Sequence, residues 1–426
     1  MDYTKSEVMS FVSENDVKFI RLAFCDITGA QKNIAVMASE LPRAFEEGIM
    51  VDGAAIPGFA GVEHSDLMLH PDPATLAVLP WRPSHGRVVR MYCDVTYPDG
   101  RQFECDNRHI VRTAEAALLS AGYTCKIGSE CEFYLFNTDE KGSPTLEPCD
   151  QAGYMDVAPL DRGENVRRSV CLTLEEMGIK PESSHHEQGP GQNEVDFMYA
   201  SPLVTCDNTT TFRAVVKTAA AQNGFFASFL PKPLPDFSGS GQHLNISVYK
   251  NGIDLFGNSF AGDRRIADSF MAGILTHIRE LTVFLNPIPN SYERFGVFEA
   301  PQYVSWSVGN RSQLVRIPEC RGNGARMELR SADCAMNPYL GVALLIYAGL
   351  DGIKRELPLQ PADNRDLFST VDSSLPTLPM SLSEAIAVAE DSEFLRGCLP
   401  AKLLENYLAL KRSETALDVK AYFPKI

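Results

Sequence analysis

Residues 126–136, KIGSECEFYLF, constrain this chain more than any other stretch. Their alternation is that of a strand, in which successive side chains point to opposite faces. Cys131, Phe133 and Leu135 then share an apolar face that suits a core, and Glu130 and Glu132 stand side by side on the other. Two neighbouring carboxylates repel each other, and burying them without partners is costly. A fold keeps such a pair for a cation, for a shared proton or at a solvated sheet edge. The pair alone does not choose among these.

Three further strands narrow the choice. In GQNEVDF, Gln192, Glu194 and Asp196 share one face; in QHLNISV, His243, Asn245 and Ser247 do; in ARMELRS, Arg326, Glu328 and Arg330 do. Opposite them lie Val195 and Phe197, then Leu244, Ile246 and Val248, then Met327 and Leu329. A half-exposed sheet also alternates, but these polar faces hold mainly glutamate, histidine and arginine. Glu187, before a Gly-Pro-Gly turn, adds a carboxylate. Were these strands to line one cavity, Glu130, Glu132, Glu187, Glu194 and Glu328 would bring five negative charges. Hard divalent cations are the natural neutralisers. Two of them, with nearby arginines, would balance the charge and leave room for a phosphate, the pattern of two-metal phosphoryl transfer.

Length and charge fit an enzyme of about two domains. The 426 residues carry 39 basic and 55 acidic side chains, a net charge of −16, which argues against nucleic acid or a membrane surface as the main partner. Eleven scattered cysteines without a C-x-x-C pair read as reduced thiols in a cytosol. No apolar run approaches membrane-spanning length, and MDYTKSEVMSF does not read as a signal peptide.

In order and spacing, a set of motifs resembles the type I glutamine synthetases: DGAAIPGF (52–59), GSECEF (128–133), SSHHEQGPGQNEVDF (183–197), KPLPDFSGSGQH (232–243), NPIPNSYERF (286–295), FEAP (298–301), NRS (310–312), VRIP (315–318), RMELR (326–330) and NPYL (337–340). The resemblance runs from end to end apart from the C-terminal tail. It implies an α+β fold: a small β-grasp domain over 1–103, then a catalytic ATP- and glutamate-binding domain over 104–426 with a curved antiparallel sheet flanked by helices, of the glutamine synthetase/guanido kinase-like kind. The implied reaction joins ammonia to L-glutamate at the expense of ATP, through γ-glutamyl phosphate, with two or more Mg2+ or Mn2+ ions. Active sites between neighbouring subunits of a homo-oligomer, a dodecamer in this family, are implied as well.

By motif match, Glu130, Glu187 and Glu194 are expected to hold one cation, and Glu132, His243 and Glu328 the one that carries the nucleotide phosphates. Arg294, Arg311 and Arg330 match positions for the glutamate carboxylates or the transferring phosphoryl group. Arg316, Arg326 and Ser247 match nucleotide-binding positions. Gly239 and Tyr154 match the amino-acid and ammonium sites. Asp52 matches the base that takes a proton from ammonium in a neighbour's site, supported by Asp66, and Glu299 matches the flap residue that closes over the intermediate.

There are departures from the family pattern. Ala54 and Ala55 replace two serines, Ser238 an asparagine and Gln242 a methionine, and the segment between Arg294 and Glu299 is shorter. All are expected near the amino-acid and amine pockets, so a γ-glutamylamine ligase with a polyamine or ethanolamine acceptor is the alternative, and a non-catalytic relative a further one. The loop from 361 to 376 lacks the tyrosine that some type I enzymes have adenylylated; Phe368 lies nearest its place.

Periodicity and caps predict helices over 5–14, with Val8, Met9 and Phe11 inward, over 107–123 from an Asp106 cap, and over 164–178, 212–224, 264–286 and 336–357. Residues 51–75, rich in Gly, Pro and Asp, read as a loop.

Overall fold

A computed structural model describes residues 3–257, 264–319 and 324–426. Two sheets organise it. The first has six strands, and along its main path Gln31–Met37, Val17–Cys25, Arg87–Thr96, Asp66–Pro71 and Ile49–Asp52 lie side by side. Val17–Cys25 runs parallel to Arg87–Thr96, and the other pairs are antiparallel. This is the β-grasp part. The stretch 51–75 is not the loop its composition predicts. Its turn residues are real, but Leu67 and Leu69 alternate into the core, and Asp66–Pro71 pairs with Ile49–Asp52, setting Asp52 opposite Asp66.

The second sheet has ten strands. Its main path runs Trp306–Val308, Val315–Ile317, Met327–Leu329, Gln242–Lys250, Thr124–Thr138, Gln192–Phe197, Pro181–His186. The 15-residue strand Thr124–Thr138, which contains the Glu130–Glu132 pair, pairs with Gln242–Lys250 over residues 124–131 and with Gln192–Phe197 over residues 130–134. Cys131, Phe133, Leu135, Val195 and Phe197 are buried on one face with Phe212 and Phe229. The opposite face is left for polar residues.

Helices cover the apolar side. Arg264–Leu285 and Pro338–Lys354 cross where a Cβ on Gly273 would stand 2.1 Å from the Ala348 carbonyl oxygen, so only glycine permits the approach. Asp106 caps Asn107–Ser120 by accepting from the Arg108 amide, as its sequence predicts. The helix predicted from 212 begins ten residues earlier, spanning Pro202–Gln222. Its first turns hold Thr209, Thr210 and Thr211, weak helix formers in isolation, but burial overrides propensity, and Thr210 and Thr211 donate to the carbonyls of Cys206 and Asp207. In Lys5–Glu14 Val8 and Val12 are buried and Phe11 packs partly buried against the core, while Met9 is exposed.

A buried polar seam ties the two sheets' domains together. Arg108 pairs with Asp72 (2.8 Å) and Asp94 (2.8 Å) of the first and Asp207 (3.0 Å) of the second. Asn107 donates to the carbonyls of Cys25 and Asp26, and Asn337 to that of Ile27.

Candidate active site

Strand register assembles the site. Glu130 lies opposite Asp196 on one side and His243 on the other, and Glu132 lies opposite Glu194. Glu194 in turn faces His185, and Asn245 and Arg316 both face Glu328. Directly opposed residues share a face, so one surface gathers these groups from six strands. All of them but Asn245 line a cavity of about 730 Å3, together with Glu187, Gln188, Gln192, Ser238, Gly239, Arg294, Phe298, Glu299, Arg311, Arg326, Arg330 and Tyr154.

The cavity has two electrostatic halves. On one, Glu328 is buried and accepts from Arg330 (2.5 Å) and Arg316 (2.6 Å). Burial opposes its charge, but Arg330 and His243 hold its pKa below the usual carboxylate value. Glu130 behaves likewise. Burial pushes it up, yet hydrogen bonds from His243 (3.1 Å) and Asn245 (2.7 Å) bring it down to about 2. On the other half burial prevails over the nearby positive charges of His243 and Arg294. Burial, with the charge of Glu187 adding to it, pushes Glu132 up to about 7, although Gln192 (3.0 Å) and the Gly241 amide (2.9 Å) donate to it. Burial and the neighbouring charge of Asp196 push Glu194 well above its usual value. The hydrogen bond of Glu187 to His185, 2.8 Å, outweighs burial and raises the imidazole.

Two groups of three offer ligand atoms within 4.8 Å of one another: Glu130, His243 and Glu328, and His185, Glu187 and Glu194. Carboxylate and imidazole donors with this charge excess fit hard divalent cations. The split differs from the expected one, which joined Glu130 to Glu187 and Glu194 and joined Glu132 to His243 and Glu328. Pairing with Gln242–Lys250 sets Glu130 beside His243, whereas Glu132 is set beside Glu194. Alternation in a sequence identifies a shared face but not the register between strands.

Fourteen of the predicted site residues line the cavity. Three do not. Asp52 and Asp66 are exposed on the first domain, and Asp52 accepts from the Ala54 amide at 2.9 Å. Ser247 donates to the Ala325 carbonyl at 3.1 Å. The two glycines of GSGQH are required by the site's own packing. A Cβ on Gly239 would stand 2.3 Å from the Pro231 oxygen and 2.6 Å from Cγ of Arg294, and one on Gly241 would stand 2.9 Å from Nη2 of Arg294. Ser238 does line the cavity and bonds Gln192, but Gln242 does not: it is buried on the other face, accepting from Arg213 and donating to Ser129.

Sequence reasoning assigned no role to His185 or Gln188. His185 precedes Glu187 by two and was legible as a strand neighbour; its ring meets Tyr154 edge-on at 5.4 Å. The contact of Gln188 with Glu299, 3.2 Å, is long-range and left no local signal. A third buried group, Asp150, Asp161 and His186, is saturated internally. His186 bonds Asp150 (3.0 Å) and the Glu187 carbonyl (2.7 Å), and Arg167 holds Asp161.

Comparison with known proteins agrees with this geometry. The family model described as the glutamine synthetase catalytic domain matches residues 104–422, and that of the glutamine synthetase β-grasp domain matches residues 16–98. The chain belongs to the glutamine synthetase family. It is 44% identical over 420 residues to a glutamine synthetase of Clostridium saccharobutylicum, covering 97% of this chain and 95% of that one. It is also 44% identical over 419 residues to the Methanosarcina mazei protein of the same name, covering 96% and 94%. Among solved structures, a GmaS/ADP complex superposes with a TM-score of 0.88 at 30% identity, covering 99% of both chains. Plasmodium falciparum glutamine synthetase shares the fold, with a TM-score of 0.86 at 23% identity, over 99% and 98%.

Proposed function

We propose that this protein is a glutamate–ammonia ligase, forming L-glutamine, ADP and phosphate from L-glutamate, ammonium and ATP. The observation that carries this reading is the cavity in which seven metal-type ligands and five arginines converge in a member of the glutamine synthetase family. Glu130, His243 and Glu328 would hold one divalent ion, and Glu187 and Glu194, with Glu132 and His185 beside them, a second. Mg2+ or Mn2+ bound there would supply positive charge to the phosphate oxygens. We assign residues 1–103 to the β-grasp domain and 104–426 to the catalytic one.

Arg316 and Arg326 flank the first triad and suit the nucleotide phosphates; Ser247 is proposed at the outer end of the same strand face. Arg294, Arg311 and Arg330 present guanidinium groups that match carboxylate and phosphoryl oxygens. Held there, an oxygen of the glutamate γ-carboxylate attacks the γ-phosphorus as the bond to ADP breaks. Gly239 and Tyr154 border the amino-acid and ammonium pockets. Glu299, held by Gln188 and Arg330, closes the cavity against water. Asp52 and Asp66 are exposed and outside their own chain's cavity, which supports a role in the site of a neighbouring copy. Asp52 takes a proton from ammonium, ammonia attacks the acyl carbon, and phosphate leaves. An assembly of subunits, a dodecamer in our reading, follows from this sharing. Among the described residues no helix is long and apolar enough to cross a membrane, and the cysteines are scattered and unpaired; on those cysteines we place the enzyme in the cytosol.

The two half-reactions test this. Asp52→Ala is expected to keep glutamate-dependent positional isotope exchange in labelled ATP while slowing amide formation by roughly 10²–10⁴-fold, the range for a positioned base. Mixing Asp52→Ala with Glu328→Ala subunits should restore part of the activity. Equal loss of both half-reactions, or full activity as a monomer, contradicts the assignment.

A further inference from the structure

The cavity's cover, residues 296–300, is held in an unfavourable backbone shape. Phe298 and Glu299 have φ of 46° and 66°, a region that non-glycine residues occupy only where their surroundings fix them. One set of fixings lies inside the cavity, where Glu299 accepts from Gln188 at 3.2 Å and from Arg330 at 3.4 Å. The other lies behind it. The ammonium of Lys232 stands 4.3 Å from the centroid of the Phe298 ring. Phe298 is 48% exposed, but Lys232 is only 3% exposed and lies outside the cavity lining.

Lys232 is itself held firmly. Its ammonium donates to the Phe237 carbonyl, and its backbone exchanges hydrogen bonds with the Asn290 side chain at 2.7 and 2.9 Å. It therefore joins three segments: the one carrying Ser238 and Gly239, the turn Pro289–Arg294, and the cover. A buried ammonium facing an aromatic ring is an attractive contact, and here its ring belongs to the residue next to Glu299.

We propose that Lys232 is a positioning residue that seats the cover through Phe298, keeping Glu299 inward so that water does not reach the acyl phosphate. The proposal rests on the ligase reading above. When the cover lifts, water attacks the acyl carbon, its oxygen forming the new bond as the bond to the phosphate oxygen breaks. Phosphate leaves, a proton goes to solvent and glutamate is regenerated. The net reaction is ATP hydrolysis without glutamine.

The test is the ratio of phosphate released to glutamine formed, with ATP, glutamate, ammonium and a divalent ion. The wild type is expected to give one phosphate per glutamine. Lys232→Met should raise phosphate release without glutamine roughly 2- to 30-fold, the range spanned by losing a contact of this kind, and Lys232→Arg should restore coupling. Phe298→Leu, at a half-exposed site, should leak as Lys232→Met does, and decides the matter if Lys232→Met does not fold. The double variant should leak no more than either single one. A structural role alone would slow both products equally, and a ratio that stays at one in Lys232→Met or Phe298→Leu overturns the proposal. A wild type that makes no glutamine fails the ligase reading instead.

Discussion

Replacing Glu328 by alanine removes the centre of the charge network. Its two oxygens serve Arg330 at 2.5 Å and Arg316 at 2.6 Å, and Arg330 has no measurable exposure. Breaking a buried ion pair by deleting one partner costs about 3–5 kcal/mol, because the remaining charge is left uncompensated. Arg330 keeps the Arg311 carbonyl at 3.1 Å and the half-exposed Glu299 carboxylate at 3.4 Å, and Arg316 is partly open to solvent. These contacts place the expected loss at the lower end, about 3 kcal/mol. Glu328→Gln keeps an acceptor but not the charge, so it should fall between the wild type and Glu328→Ala. Thermal melting with a chelator present reads this first effect. Adding Mn2+ reads the second: the wild type should gain stability with concentration as an ion binds the folded state, and Glu328→Ala should gain less, since one triad is broken. An alanine variant that melts with the wild type in chelator, or that gains equally from Mn2+, refutes the reasoning.

His277 offers a pH test away from the cavity. It bonds Glu280 and Asp351 at 2.8 Å each and stacks on Phe394. Burial lowers its pKa, but the two carboxylates outweigh burial and raise it, as befits a ring that must donate from both nitrogens. Its contribution is complete below the ordinary histidine value and is lost as pH rises through the raised one. The melting advantage of the wild type over His277→Gln should therefore shrink from pH 6 to pH 9; a constant difference contradicts this. Gly239→Ala must displace the Pro231 carbonyl or Arg294, and a misplaced Arg294 should lower kcat/KM for glutamate on the order of 10²-fold. Unchanged glutamate kinetics would argue against that role for Arg294. Intact-mass analysis of protein from nitrogen-replete cells should show no nucleotidyl adduct on residues 361–376.

Local rules revealed the faces of the catalytic sheet, because alternation and burial are properties of one strand at a time. Cys131, Phe133 and Leu135 went inward and Glu130 and Glu132 went to the cavity on that ground alone. What lay between strands was hidden. Glu130 belongs with His243 because of a register that no single strand encodes. The pairing of Ile49–Asp52 with Asp66–Pro71 was masked by turn-forming residues between them. The contact of Lys232 with Phe298 spans 66 positions, and only the fold creates it.

The most direct measurement of the central claim is product stoichiometry with a panel of amines. Purified protein is supplied with ATP, L-glutamate and a divalent ion, and ammonium, methylamine, ethanolamine or a polyamine is added in turn. The predicted result is one glutamine and one phosphate per ATP with ammonium, abolished by chelation and restored by Mg2+ or Mn2+. Efficient amide formation with a larger amine but not with ammonium, or ATP cleavage that ignores glutamate, would contradict it.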